Sequence, residues 1–303
     1  MKLTSILKKA SQFQSSLDTN IKNESGSEFE ERLLKLWILL MLAFVQGILE
    51  WLPVSSEGQI VVIISAFTDE SLDTAISLSI WLHVGTMLAV IIRYRYHWKP
   101  IIRGSTEEHK AMRKFLFWAT LATGVVGFPI MLLLAHISPM IGQVVTLLIG
   151  VALIVTAGAI KYSEMNLSGK RTLIDFSKGS SLIPGGLQGL AIIPGISRSG
   201  ITMSGLLFQD LNKEKAIETS FLMSVPAVFA AFAYEVLDLI INDESIISSF
   251  SVYEILLAIT VTMIVGYLTI DAFLKIAKKY SFSIICLILG IFSIILTLVT
   301  WHL

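Results

Sequence analysis

Charge is scarce in this chain: Asp, Glu, Lys and Arg make up only 15% of its 303 residues. A soluble enzyme of this length would be unusual with so few. Lys plus Arg and Asp plus Glu are balanced at 23 each, so the chain as a whole offers no electrostatic footprint for nucleic acid. Cysteine is scarcer still. Cys286 stands alone in an apolar run, which excludes disulfides, cysteine-based zinc sites and thiol redox chemistry. The first 35 or so residues lack the continuous apolar core of a signal peptide. Rich in Ser, Asn, Lys and Glu, residues 1–35 are expected to form a polar, flexible or surface-lying extension, with Leu3, Ile6 and Leu7 spaced for a weak amphipathic face.

Apolar residues, by contrast, make up 54% of the chain and the mean hydropathy is strongly positive. This composition predicts an all-α integral membrane protein, with a single membrane domain over 36–303. A bilayer core of ~30 Å needs about 20 apolar residues in a helix. Stretches near 75–93, 115–136, 141–160, 216–241, 253–274 and 282–301 meet that length. Three others, 34–52, 60–67 and 182–208, are cut by Pro, Gly and Ser. Irregular backbone at membrane depth is tolerated only where protein or a water-filled cavity covers it, so these pieces are expected to be re-entrant and to line a site.

Loop charges orient the chain. Residues 93–114 hold Arg93, Arg95, Lys99, Arg103, Lys110, Arg113 and Lys114, whereas the 241–252 connection holds only Asp243 and Glu244. The first is expected to be cytoplasmic and the second external, with 161–178 and 275–279 inside and the turns at 68–74 and Ser138–Pro139 outside. The first interrupted segment then enters from outside and the second from inside. Their sequences correspond as well: Gln46 to Gly58 (QGILEWLPVSSEG) parallels Gln188 to Gly200 (QGLAIIPGISRSG), and the breaks expected at Trp81–Thr86 and Phe221–Pro226 match in turn. The pattern predicts an inverted repeat, about 36–136 and 141–301, whose broken helices meet near the midplane.

Ionisable groups in such surroundings cost at least ~2.5–3.5 kcal/mol each and must find partners. Arg198 can offer a bidentate fork to a phosphate, which a lysine cannot. Ser197, Ser199, Gly200 and Thr202 add hydroxyls and approachable backbone N–H groups, and a half-helix starting near Ser199 would point its positive end at the same anion. In the first segment, Ser55 and Ser56 follow Pro53; Ser56 is a candidate nucleophile or phosphate-positioning hydroxyl, and Glu50 a candidate base or metal ligand. A diphosphate would call for a divalent cation, Mg²⁺ or Ca²⁺, and Glu50 with Glu57 suits a metal that takes one or two protein carboxylates. Competing readings make the prolines simple kinks and Arg198–Glu50 a structural ion pair. His83 is expected to be a packing residue, Asp271 and Lys275 a local pair, and His97, His109, His136 and His302 loop or interface residues forming no metal site.

Gln46 to Ile60 (QGILEWLPVSSEGQI) resembles the first signature of the undecaprenyl-diphosphate phosphatase family of the bacitracin-resistance type, E-G-x-x-E-F-L-P-x-S-S-x-G-H, and Pro194 to Thr202 (PGISRSGIT) matches its second, P-G-x-S-R-S-G-x-T. Leu82–Thr86 and Ser220–Ala227 agree in order, and the likeness covers about 36–300. It implies six transmembrane and four re-entrant helices, a homodimer, a metal-dependent site open to the external face of the cell membrane, and hydrolysis of an undecaprenyl-type diphosphate lipid to the monophosphate and phosphate, recycling the carrier. By position, Glu50 takes the catalytic glutamate, Ser56 the nucleophilic serine and Arg198 the phosphate-binding arginine, with Ser197 and Thr202 as second-motif hydroxyls. Gln46 and Gln59 depart from the family's glutamate and histidine, and Glu57 replaces a small hydroxyl residue. An amide cannot titrate, so Glu57 is expected to restore the lost carboxylate. The same parts, as broken helices around a phosphate cradle, would also suit a polyprenyl-phosphate transporter, a catalytically degenerate homologue, or a lipid-binding subunit.

Overall fold

The computed structural model describes residues 26–67, 72–135, 142–165, 169–193, 195–242, 250–281 and 283–300. Leu3, Ile6, Leu7, His136, Ser138, Pro139, Pro194, Asp243, Glu244 and His302 lie outside these. Among the described residues there is no β-strand. The helices are α1 (Gly26–Leu49), α2 (Ser56–Phe67), α3 (Leu72–Arg93), α4 (Arg95–Arg103), α5 (Glu107–Ala135), α6 (Gly142–Met165), α7 (Lys178–Leu190), α8 (Arg198–Leu207), α9 (Lys213–Asn242), α10 (Val252–Lys279) and α11 (Ser283–Thr300), with a 3₁₀ turn at Leu173–Asp175.

Among the described residues, five helical stretches are long and apolar enough to cross a membrane: Glu30–Leu49, Thr74–Arg93, Glu107–Leu133, Lys213–Ile241 and Val252–Ile276. Shorter apolar stretches, Leu147–Tyr162 and Ser283–Ile295, lie in α6 and α11. Large apolar side chains are exposed along α5, α10 and α11, among them Phe117, Val125, Leu268, Ile288 and Phe292. In water such faces would be a liability; against lipid tails they are the expected outer surface of a multi-pass membrane protein.

Small residues set how closely the helices approach, as expected where lipid removes the hydrophobic drive between them. On α3, a Cβ added to Gly85 would stand 2.6 Å from the Ile259 carbonyl oxygen of α10. Gly150 of α6 and Gly290 of α11 face each other; a Cβ on either would come within 2.9 and 2.8 Å of the other's carbonyl. Within 43–303, a buried cluster holds Trp51, Phe115, Phe221, Leu222 and Phe273.

Three expectations are corrected. The 34–52 segment is not cut at its glycine: α1 runs unbroken through Gly47 to Leu49, and the chain leaves the helix only at Glu50–Leu52, just before Pro53, which therefore removes no intrahelical bond. The breaks expected at Trp81–Thr86 and Phe221–Pro226 are absent, and α3 and α9 are continuous through both. Side chains take up the carbonyls of the turn before Pro226: Ser224 Oγ donates to Phe221 O at 2.7 Å, and Gln188 Nε2 reaches Met223 O at 3.4 Å. Asp271 does not pair with Lys275. Its carboxylate accepts from Arg93 Nε of α3 at 2.8 Å, across a helix pair rather than along one helix.

Candidate active site

Two irregular stretches meet in the fold: Glu50–Ser55 between α1 and α2, and, between α7 and α8, residues 191–193 and 195–197. Ser55 has a positive φ of 56°, outside the region non-glycine residues prefer. The turn holds it there: its Oγ accepts from Gly58 N at 3.2 Å and from Gly195 N of the other stretch at 3.2 Å. Gly195 itself has φ 99°, and a Cβ there would sit 2.5 Å from Ile149 Cα, so no other residue fits that bend. Ser199 Oγ donates to Leu52 O at 3.2 Å. Behind the first stretch, Trp51 Nε1 donates to Thr269 Oγ1 at 3.0 Å and the Cys286 thiol donates to Pro53 O at 2.6 Å. Cys286 is thus a structural donor to the bend.

Ser197 caps α8, its Oγ accepting from Gly200 N at 3.2 Å, so the helix begins at Arg198. The positive end of α8 therefore lies beside a guanidinium. Arg198 Nη2 forms an ion pair with Glu50 Oε1, and Nη1 reaches Ser220 O at 3.4 Å. The second carboxylate oxygen is surrounded. Glu50 Oε2 accepts from Gln46 Nε2 at 2.8 Å and from Ser56 Oγ at 2.9 Å, and His83 Nε2 stands 3.2 Å away. Glu50 is 5% exposed, and these contacts offset the cost of burying its charge.

These groups open on a small cleft lined by Glu50, Leu52, Ser55, Ser56, Glu57, His83, Ala191, Ile196, Ser197, Arg198 and Ser199. Seven of the residues singled out in the sequence line it. Four do not. Gln46 lies behind Glu50, fully buried. Gln59 is on α2 with its Nε2 buried and unpartnered among the described residues. Gly200 packs where a Cβ would meet Thr156 and Pro53 at 2.7 and 2.8 Å. Thr202 bonds Arg198 O at 2.7 Å and Ser220 Oγ at 2.6 Å, inside α8 and α9 packing.

His83 is the residue sequence reasoning missed. It was expected to pack, yet its ring faces the cleft and Glu50. The available signal was an imidazole within an apolar helix, where an ionisable group is costly unless partnered.

No group of three or more His, Cys, Asp and Glu side chains is arranged to hold a metal among the described residues. Both oxygens of Glu50 are engaged by protein groups. Glu57 lines the cleft and accepts no hydrogen bond from a described residue. A cation whose shell is completed by phosphate oxygens and water fits with Glu57 as its protein carboxylate.

Residues 39–292 match the family model described as "Bacitracin resistance protein BacA". Three relatives carry the name undecaprenyl-diphosphatase. One from Methanococcoides burtonii is 38% identical over 87% of this chain and 98% of its own length. One from Methanothrix thermoacetophila is 36% identical over 85% and 95%, and one from Methanopyrus kandleri 34% over 86% and 95%. On the match across most of its length, the chain belongs to the BacA bacitracin-resistance family of membrane proteins.

Proposed function

We propose that the protein hydrolyses an undecaprenyl-type polyprenyl diphosphate to the monophosphate and inorganic phosphate, in the cleft between the two irregular stretches. The single observation that carries the chemistry is the Ser56 Oγ to Glu50 Oε2 hydrogen bond at 2.9 Å beside Arg198. A hydroxyl donating to a carboxylate is an oxygen nucleophile next to its base. In this reading Ser56 Oγ attacks the terminal phosphorus and its proton passes to Glu50. The bond from that phosphorus to the bridging oxygen breaks, and the lipid monophosphate leaves with the bridging oxygen. Water then attacks the phosphoserine, freeing phosphate and restoring the serine. Arg198, turned from Glu50 toward the substrate, neutralises charge gathering on the phosphoryl oxygens, as does the N-terminus of α8.

A divalent cation held by Glu57 and the diphosphate would supply further charge neutralisation. The same proposal includes six spanning helices and four re-entrant ones arranged as an inverted repeat, and a cleft opening to the external side of the cell membrane, in accord with the basic loop over 93–114. Carriage of a lipid phosphate across the bilayer is not favoured, because carriage needs no base beside a hydroxyl.

The test is phosphate release by the purified full chain from detergent-solubilised undecaprenyl diphosphate, with Mg²⁺ and with chelator. Release by the wild type, lost in Ser56→Ala and Glu50→Gln, is expected; a wild type that releases none overturns the proposal. Glu57→Gln should lower the rate and shift the metal dependence, and an unchanged rate with unchanged metal dependence removes Glu57 from the cation's shell.

A further inference from the structure

We propose that His83 is a positioning residue that fixes the Glu50 carboxylate for Ser56, an inference that rests on the hydrolase reading above. The histidine is held from both sides before it meets the carboxylate. Its Nδ1 lies 2.7 Å from the Ser79 carbonyl oxygen, one turn back along α3, and 3.3 Å from Ser79 Oγ. Its own carbonyl accepts from Thr86 Oγ1 at 3.0 Å. Two residues on, Gly85 seats α3 directly on the backbone of α10, so the helix has little freedom to roll. A side chain pinned at Nδ1 on a pinned helix can aim Nε2 in only one direction, and that direction is Glu50 Oε2 at 3.2 Å.

Glu50 needs such an outside hold. It sits in the turn after α1, where the chain leaves helical geometry. The Gln46 contact comes from α1 itself, four residues earlier, and therefore moves with that turn. Arg198 pulls on the other oxygen, and by the proposed function must give way to substrate. His83 is the contact on Oε2 that comes from a separate membrane-spanning helix and does not depend on substrate. It keeps the oxygen that faces Ser56 in place while Arg198 moves. Simple packing would be served as well by Leu or Met, without the cost of placing an imidazole in an apolar helix.

Three variants in the full-length protein test this. His83→Leu retains bulk and removes the bond; kcat should fall about 10- to 100-fold, the range for losing one hydrogen bond to a charged group, with KM changed less than about threefold. His83→Gln restores a donor and should recover most of kcat. A residue that only packs would give the opposite order, with Leu at least as active as Gln. A second measurement does not depend on turnover: the drop in detergent melting midpoint caused by His83→Leu should disappear in a Glu50→Ala background. Full kcat in His83→Leu, or a midpoint drop that is the same in both backgrounds, overturns the positioning role. A wild type without phosphate release, with the midpoint coupling present, instead overturns the hydrolase reading.

Discussion

The two irregular segments begin alike and diverge at the point where chemistry starts. Gly47 and Gly189 each bring a helix against a valine, where an added Cβ would stand 2.8 Å from Val265 and from Val126 respectively. Gln46 and Gln188 are both buried, both use Nε2 as donor, and both leave Oε1 without a partner among the described residues. Gln46 donates to Glu50, whereas Gln188 donates to Thr123 Oγ1 at 3.0 Å and to the Met223 carbonyl. Four residues on, the first segment has Glu50 and the second has Ile192, which packs over Gly127. At the bends, the first uses a serine at positive φ and the second a glycine. The two Gln-Gly pairs are thus used alike, and the segments differ in the side chains that follow: an acid and a hydroxyl on one side, a guanidinium on the other.

The strongest way to break that division of labour is at Arg198. Arg198→Ala leaves the buried Glu50 carboxylate without its cation, and one-sided removal of a buried pair costs about 3–5 kcal/mol. Turnover should fall by roughly 10³-fold or more, and the melting midpoint should drop with it. Arg198→Lys keeps the charge and loses the fork, so it should preserve the fold and still lose at least about tenfold in kcat/KM. Wild-type kcat/KM in Arg198→Lys would mean that the second segment contributes charge alone.

The matching contacts of Gly47 and Gly189 predict a smaller, similar effect in both segments. Gly47→Ala and Gly189→Ala should each destabilise by about 1–3 kcal/mol, the usual cost of overpacking, read as similar falls in midpoint. Their activities should differ: Gly47→Ala displaces the turn that carries Glu50, while Gly189→Ala acts beside Ile192. Equal losses of specific activity in the folded fraction would show that the segments are not chemically unequal.

Much of this was legible in the sequence because membrane depth simplifies it. Apolar runs of spanning length had to be helices: the runs near 75–93, 216–241 and 253–274 fall within α3, α9 and α10, and the run from 115 is helical in α5 as far as Ala135. Glu50 and Arg198 could be grouped because buried ionisable residues demand partners, and Ser56 joined them as a hydroxyl in the turn after Pro53. What could not be read was the side-chain accounting around them. Pro226 looked like a break, but Ser224 and Gln188 take up neighbouring carbonyls, and a one-dimensional pattern does not contain the long-range donor. Thr202 looked like a phosphate ligand, but one turn into α8 its hydroxyl points at Ser220. His83 looked like packing because its partner lies 33 positions away, on the far side of a turn. The motif gave the residue types; direction came only from the helices that carry them.

Ser55 offers the finest discrimination between the two bends. Its Oγ satisfies two buried N–H groups, of Gly58 and Gly195, while its backbone holds a φ of 56°. Ser55→Ala loses the acceptor and keeps the unfavourable backbone; Ser55→Gly loses the acceptor and relieves the backbone. Both should be destabilised, since an unsatisfied buried donor costs about 1–3 kcal/mol. The glycine variant should nonetheless be more stable than the alanine one by about 1 kcal/mol, the approximate price of left-handed geometry for a residue with a Cβ. That ordering of midpoints, Ser above Gly above Ala, would mark the first bend as a strained turn held by its hydroxyl. If alanine equals or exceeds glycine, the first bend carries no such strain, and the acid-bearing segment differs from the glycine-built one in its side chains alone.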